Sequence, residues 1–219
     1  MVAWRRPYGL GLAFPTAKDT MARISSHDRR EQLVAAAIRV ATRDGVAAVT
    51  TRTVAAEAGA TPGIVHYVYR SMTELLRDMI KAMADEQVQR VTEVQFDGAS
   101  VRECLDRAFE ALWETLASAP EAHQLTYEVT QHALRKAELR DLADWQYRCY
   151  FDAASTVLEA VAKAAHIEWA VPIDSLARMI IAVNDGITLA WLVDRDTERA
   201  RETYRHTLAY LESVARDVG

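Results

Sequence analysis

The stretch from Thr50 to Arg70 concentrates hydrogen-bonding side chains of one character. Thr50, Arg52, Thr61, His66, Tyr67, Tyr69 and Arg70 supply hydroxyls, an imidazole, phenols and guanidiniums, and Glu57 is the one carboxylate among them. Groups of these types reach phosphate oxygens and the base edges of a duplex groove. Pro62 and Gly63 add a preset first helical turn and a position where the backbone can approach another molecule closely. A second set is aromatic: Phe109, Trp113, Tyr127, Trp145, Tyr150 and Trp191, interrupted by Glu128, Gln131, His132 and Asn184. Small-molecule pockets have this make-up, apolar with a few polar groups that fix orientation; so does a plain aromatic core. Glu128 and His132, at i and i+4, can meet on one helix face, either as an anchor for a polar ligand or as a solvated pair. No residue in this set selects a particular ligand.

Reactive chemistry is poorly provided for. The chain has no HExxH, Gly-rich phosphate loop, serine elbow or Cys/His nucleophile pair. An enzyme would have to draw its acid and base from Glu128, His132 and Asp185. Cys104 and Cys149 make neither a disulfide framework nor a metal quartet, which suits a reducing cytoplasm. We therefore expect no catalytic residue, no metal and no cofactor. No apolar run reaches the ~18 residues of a membrane span, and the longest candidate, Met179 to Val193, is broken by Asn184 and Asp185.

Helices must hold these side chains, and from Ser25 onward the chain is punctuated by helix signals. Ser25 with Asp28 opens a first helix that buries Leu33, Ala37, Val40 and Ala41 and closes at Asp44-Gly45. Thr50 opens a short helix that ends at Gly59, where a left-handed residue is needed. Thr61-Pro62 is an N-cap followed by a first-turn proline. Ser71 to Glu74 and Ser100 to Glu103 read as capping boxes. Pro120 and Pro172 fit first turns, and Asp196 or Thr197 caps the last helix. The fourth helix is expected over ~72–95 and the last two over ~172–194 and ~197–216. About nine helices result, with no strand alternation of useful length, so the predicted fold is all-α.

Within this series, Thr51 to Tyr69 (TRTVAAEAGATPGIVHYVY) has the pattern of two short helices crossing steeply. Ala55 is the small contact, Gly59 the turn, and Val54, Ala58, Ala60, Val65 and Val68 face inward. Tyr69, next to core Val68, is expected to pack on the fourth helix. The remaining exposed set is Thr61, Gly63, His66 and Tyr67, with Thr50, Arg52 and Arg70 at its edges.

Charge agrees once it is divided along the chain. The 219 residues carry −5 overall, but residues 1–20 hold +2, residues 21–72 hold +3 and the remainder holds −10. A mildly basic head on an acidic body still presents its own charge to a phosphate backbone, because salt screens over ~8–10 Å. The composition, 50% hydrophobic and 26% charged, excludes a disordered or fibrous chain. Residues 1–20 are the exception; their Pro, Gly and irregular apolar residues predict a disordered extension before Met21.

These residues resemble the TetR family of bacterial transcriptional regulators. The likeness covers about residues 25–80 and rests on Asp44-Gly45, Val49-Thr50, Val54-Ala55, Ala58-Gly59, Thr61-Pro62-Gly63, His66-Tyr67-Val68-Tyr69, Ser71 and Glu74-Leu75-Leu76. Glu138-Leu139-Arg140 and Asp185-Gly186 bear a weaker likeness to the choline-responsive branch. Two positions depart from the pattern: the family often has Tyr where His66 stands, and frequently a phosphate-contacting Lys where Met72 stands, which leaves Arg70 as the substitute. The resemblance implies a helix-turn-helix DNA-binding domain over residues 21–72 and a ligand-binding and dimerisation domain over 73–219. It implies a cytoplasmic homodimer on a palindromic operator, released by a small-molecule effector that shifts the fourth helix. A constitutive DNA-binding or scaffold protein is the alternative. The dimer face is expected on the last two helices: Ile173, Leu176, Ile180, Val183, Ile187, Ala190 and Trp191 form one stripe, with Met179, Ile181 and Leu189 off it, and Tyr204, Leu208, Leu211 and Ala215 form the other.

Overall fold

In a computed structural model that describes residues 25–96 and 100–218, nine α-helices make up most of the described chain. They are α1 (Ser26–Asp44), α2 (Thr51–Glu57), α3 (Pro62–Val68), α4 (Met72–Thr92), α5 (Val101–Ser118), α6 (Pro120–Arg135), α7 (Arg140–Ala165), α8 (Ile173–Asp194) and α9 (Thr197–Ser213). Short 3-10 turns occupy Val46–Ala48 and Ala137–Leu139. The expectation of disorder over residues 1–20 lies outside the described residues.

The caps explain the boundaries. Asp28 N–H donates to Ser25 Oγ at 3.0 Å, Glu103 N–H to Ser100 Oγ at 3.3 Å, and Arg199 N–H to Asp196 Oδ1 at 3.1 Å. Pro172 is the N-cap of α8, one residue before the first-turn place expected for it. The Ser71 box is half made: Glu74 N–H donates to Ser71 Oγ, but the Glu74 carboxylate accepts from the N–H of Arg70 and from Arg30.

Among the described residues, two short strands interrupt the helical pattern. Ile167–Trp169 (β1) pairs antiparallel with Ala215–Asp217 (β2), Ile167 opposite Asp217. Helix α9 therefore stops at Ser213, and Ala215 belongs to a strand rather than to a helix face. His166 leaves α7 with φ of 55°, and Trp169 Nε1 donates to the Leu158 carbonyl at 3.0 Å, which pins the ribbon to α7. Three residues carry too little alternation to be read as a strand in sequence.

The helices gather into two compact units, not divided at 72/73. The first runs to Met83 and adds Leu125–Ala143; the second takes Ala84–Gln124 and the chain from Asp144 on. The first half of α4 belongs with the head because Leu75, Met79, Ile80 and Met83 are buried there. The head's core is Leu33, Ala36, Ala37 and Val40 of α1 with Val54, Ala55 and Val65 of α2 and α3. In the second unit Phe109, Trp113 and Leu116 of α5 meet Leu158 and Val161 of α7, Leu176, Ile187 and Trp191 of α8, and Tyr204, Leu208 and Leu211 of α9.

Candidate functional site

Helices α2 and α3 are set on α1 by apolar contact and by charge. Ala55, 1% exposed, is the small residue at the crossing, and Gly59 makes the turn with φ of +62°. Gln32 of α1 donates to the Ala58 carbonyl at 2.9 Å, satisfying one orphan acceptor at the end of α2. Arg39 and Arg43 of α1 reach Glu57 at 2.7 and 3.0 Å and hold its carboxyl below the usual range. The one carboxylate of the stretch is thus neutralised within the head. Tyr69 is buried, 2% exposed, and its hydroxyl donates to Asp78 Oδ2 at 3.0 Å, while Arg30 lies over its ring and pairs with Glu74 and Asp78. Burial pushes the Tyr69 phenol far above its ordinary value.

The polar residues of the stretch are turned outward. Thr50, Arg52, Thr61, Pro62, Gly63, His66, Tyr67 and Arg70 are all exposed, Tyr67 to 88%. Val65, on the same seven-residue helix as Tyr67, is 1% exposed, so α3 has one face in the core and one in solvent. The two threonines differ. The Thr50 hydroxyl caps α2, accepting from Thr53 N–H at 3.2 Å, whereas the Thr61 hydroxyl makes no cap bond to α3 and remains available. A Cβ on Gly63 would meet only Thr61 Oγ1, at 3.8 Å. Met72 is not surface-bound as a phosphate ligand would be: Thr51 Oγ1 donates to its sulfur at 3.4 Å and the side chain is half-buried. Arg70 donates its backbone N–H to Glu74 at 3.0 Å and leaves its guanidinium exposed.

The aromatic and polar residues expected to bind a ligand do not gather in one unit. Tyr127, Glu128, Gln131 and His132 lie in the first, and Phe109, Trp113, Trp145 and Asn184 in the second. Glu128 corrects the reading most: rather than facing His132, its carboxylate accepts from Val46 N–H at 2.7 Å. Gln131 is exposed, and Tyr127, His132 and Trp145 are partly buried. Phe109 and Trp113 are core. Phe109 packs tilted against Tyr204 at 4.2 Å, Trp113 meets Trp191 edge-on at 5.5 Å, and Arg201, held by Glu110 at 2.6 and 2.9 Å, lies over the rings of Phe109 and Trp113.

The second unit instead has a polar cluster around Asn184. Tyr204 OH donates to Asn184 Oδ1, Tyr147 OH to Asp185 Oδ2 at 2.8 Å, and Gln146 Nε2 to Tyr150 OH at 2.9 Å. Tyr150 and Phe151 stand edge-on to Tyr147 at 5.8 and 6.0 Å. Gln146 and Thr188 are 1% and 2% exposed. Burial pushes the phenols of Tyr147, Tyr150 and Tyr204 far up, so they remain hydrogen-bond donors. Polar side chains so deep in an apolar core orient ligands or one another. Gln146, Tyr147, Thr188 and Tyr204 were missed in sequence; the signal available was the run of polar residues on the inner faces of α7 and α8.

Residues 33–79 match the family described as bacterial regulatory proteins, tetR family, and residues 101–216 match BetI-type transcriptional repressors, C-terminal. The chain is 30% identical over 193 residues to the HTH-type nicotine-responsive transcriptional repressor HdnoR of Paenarthrobacter nicotinovorans, covering 88% of this chain and 98% of that one. Among solved structures it is similar to the multidrug binding protein EbrR complexed with imidazole (27% identity, TM-score 0.58, 89% and 97% covered). It shares its fold with a transcriptional regulator from Rhodococcus sp. Rha1 (21% identity, TM-score 0.68, 87% and 99% covered).

Proposed function

The chain belongs to the TetR family of bacterial transcriptional regulators, and from that premise we propose a homodimeric repressor that grips a palindromic operator through α2 and α3 and leaves it when a small nitrogen-containing aromatic molecule binds its body. The observation that carries the DNA reading is the exposure of Tyr67 beside buried Val65. An aromatic ring standing in solvent on so well packed a helix has no partner within its own head, and a groove supplies one.

The dimer reading rests on α8. It is long and apolar enough to cross a membrane by length and composition, yet 28% of its most apolar stretch is buried within the chain. Ala182, Gly186, Leu189, Ala190 and Val193 form its exposed face, and a Cβ on Gly186 would meet nothing. A second copy covers such a face and makes a four-helix interface of α8 and α9 from each protomer. Two-fold symmetry then sets the recognition helices ~34–36 Å apart, one turn of duplex. Such a regulator works in the cytoplasm, where the DNA is.

The effector class is supported by HdnoR, named as nicotine-responsive, and by EbrR, complexed with imidazole and in another structure with ethidium. The Tyr147–Asp185 pair, with Tyr150, Phe151 and Gln146 around it, sets a carboxylate and an amide beside aromatic edges, which suits a nitrogen heterocycle. A gel-shift titration with DNA from upstream of the gene, repeated with nicotine, imidazole and ethidium alongside thermal melts, tests both parts. We expect a shifted band that one of these compounds releases, and a melting temperature raised by mass action. Binding that no compound releases or stabilises against would leave a constitutive DNA-binding protein; absence of binding to every upstream fragment would overturn the whole reading.

A further inference from the structure

Glu128 belongs to neither the DNA face nor the polar cluster, and its carboxylate is turned into the head. Its Oε1 accepts from the N–H of Val46, 82 residues away in sequence, at 2.7 Å. Val46 opens the 3-10 turn that connects α1 to α2, and Gly45, the N-cap of that turn, has no side chain to cap it. Glu128 supplies the cap from α6. Gly45 makes room for it: the backbone there has φ of +84°, and a Cβ would lie 3.1 Å from Glu128 Oε1 and 3.6 Å from Oε2. Any side chain at 45 would therefore crowd the carboxylate as well as strain the backbone.

The turn leads directly to the DNA-reading helices. Its last carbonyl, Ala48 O, accepts from Thr53 Oγ1 at 2.6 Å, and Thr53 closes the capping box of α2 with Thr50. Three links thus join Glu128 to the start of the helix-turn-helix: a charge-assisted bond to Val46, the 3-10 turn, and the Thr53 bond. We propose that Glu128 is a positioning residue for operator recognition, a clasp from α6 that favours the pose of α2 and α3 able to read DNA. The inference rests on the reading of α2 and α3 as the operator face. Glu128 as a residue remains exposed, so the clasp opens at little cost, as a switchable contact must. Linkage makes the relation reciprocal: a clasp that favours operator binding is tightened by the operator.

The experiment uses the intact protein and the upstream DNA fragment that it binds. Amide hydrogen exchange at Val46 should slow when that fragment is added, beyond any change at core amides of α1 such as Val40. Glu128→Ala should weaken operator binding about tenfold while leaving affinity for scrambled DNA and the melting temperature near wild type. Glu128→Gln should recover most of the loss, because its amide oxygen still accepts from Val46; Glu128→Asp, shorter by one methylene, should not. Should Glu128→Ala fail to fold, the contrast between Gln and Asp reads the same quantity. Unchanged operator affinity in Glu128→Ala, an equal loss on both DNAs, or failure of Glu128→Gln to rescue would overturn the clasp while leaving the repressor reading intact. Wild-type protein that binds no upstream DNA would overturn both.

Discussion

Two glycines and two threonines of the head divide between positions that the fold requires and positions that it leaves free of any role in folding. Gly59 adopts φ of +62° and is needed for the turn, whereas Gly63 lies within α3 with room for a Cβ. Gly63→Ala should therefore keep or slightly raise stability, since alanine suits a helix better by about 0.5–1 kcal/mol, yet lower operator affinity by keeping the backbone away from DNA. In the same way Thr50→Ala removes a cap and should cost about 1 kcal/mol of stability. Thr61 makes no cap bond, so Thr61→Ala should leave the melt unchanged and, like Tyr67→Ala, weaken specific binding by ~1–3 kcal/mol. Denaturant unfolding beside gel shifts on operator and scrambled DNA separates these effects. An unchanged operator affinity in Tyr67→Ala would mean that the assigned face is the wrong one.

Among the elements, α8 faces in two directions. Leu176, Ala177, Ile187, Thr188 and Trp191 are buried in its own chain, while Leu189 and Val193 stand 53% and 81% exposed. The helical period marks α8 as apolar on more than one side, but much of the stripe expected to face a partner is core: Leu176, Ile187 and Trp191 of α8 and Tyr204, Leu208 and Leu211 of α9 are buried in their own chain, while Ala190 of that stripe is exposed. Spacing shows how many faces a helix must bury and is silent on which of them its own chain covers. Leu189→Glu and Val193→Glu should each leave the monomer folded, since neither side chain packs tightly within it, and should shift the protein toward monomers in sedimentation at micromolar concentration. Operator binding should fall with the dimer. A variant that remains dimeric with both charges in place would move the interface elsewhere.

For the whole molecule, His123 is one source of lost stability in acid. Burial, helped by the nearby charge of Arg90 and opposed by the bond to the Thr115 backbone, pushes its imidazole down to about 4 from 6.5. Above pH 6.5 the folded and unfolded chains both hold it neutral. Between 6.5 and 4 the unfolded chain takes up a proton that the fold refuses, so stability falls as pH drops, by roughly 3 kcal/mol in full. His123→Leu carries no such proton, so wild type should lose that amount of stability relative to the variant from pH 7 to 4, with the carboxylates cancelling between them; a difference that stays constant with pH would refute the assignment. The caps, the glycine turn and the outward position of the polar residues on α2 and α3 were legible in the amino-acid sequence because each is a local preference settled within four or five residues. The polar groups at Asn184 and Asp185 were not, because Tyr204 and Tyr147 come to them from other helices. Nor was Glu128, which local spacing paired with His132 but which the fold carried to Val46. Local sequence determined a helical chain with a helix-turn-helix at its front; only the tertiary structure decided which distant segments meet, because contacts across 38 and 82 residues of chain depend on how helices pack and leave no period in the sequence.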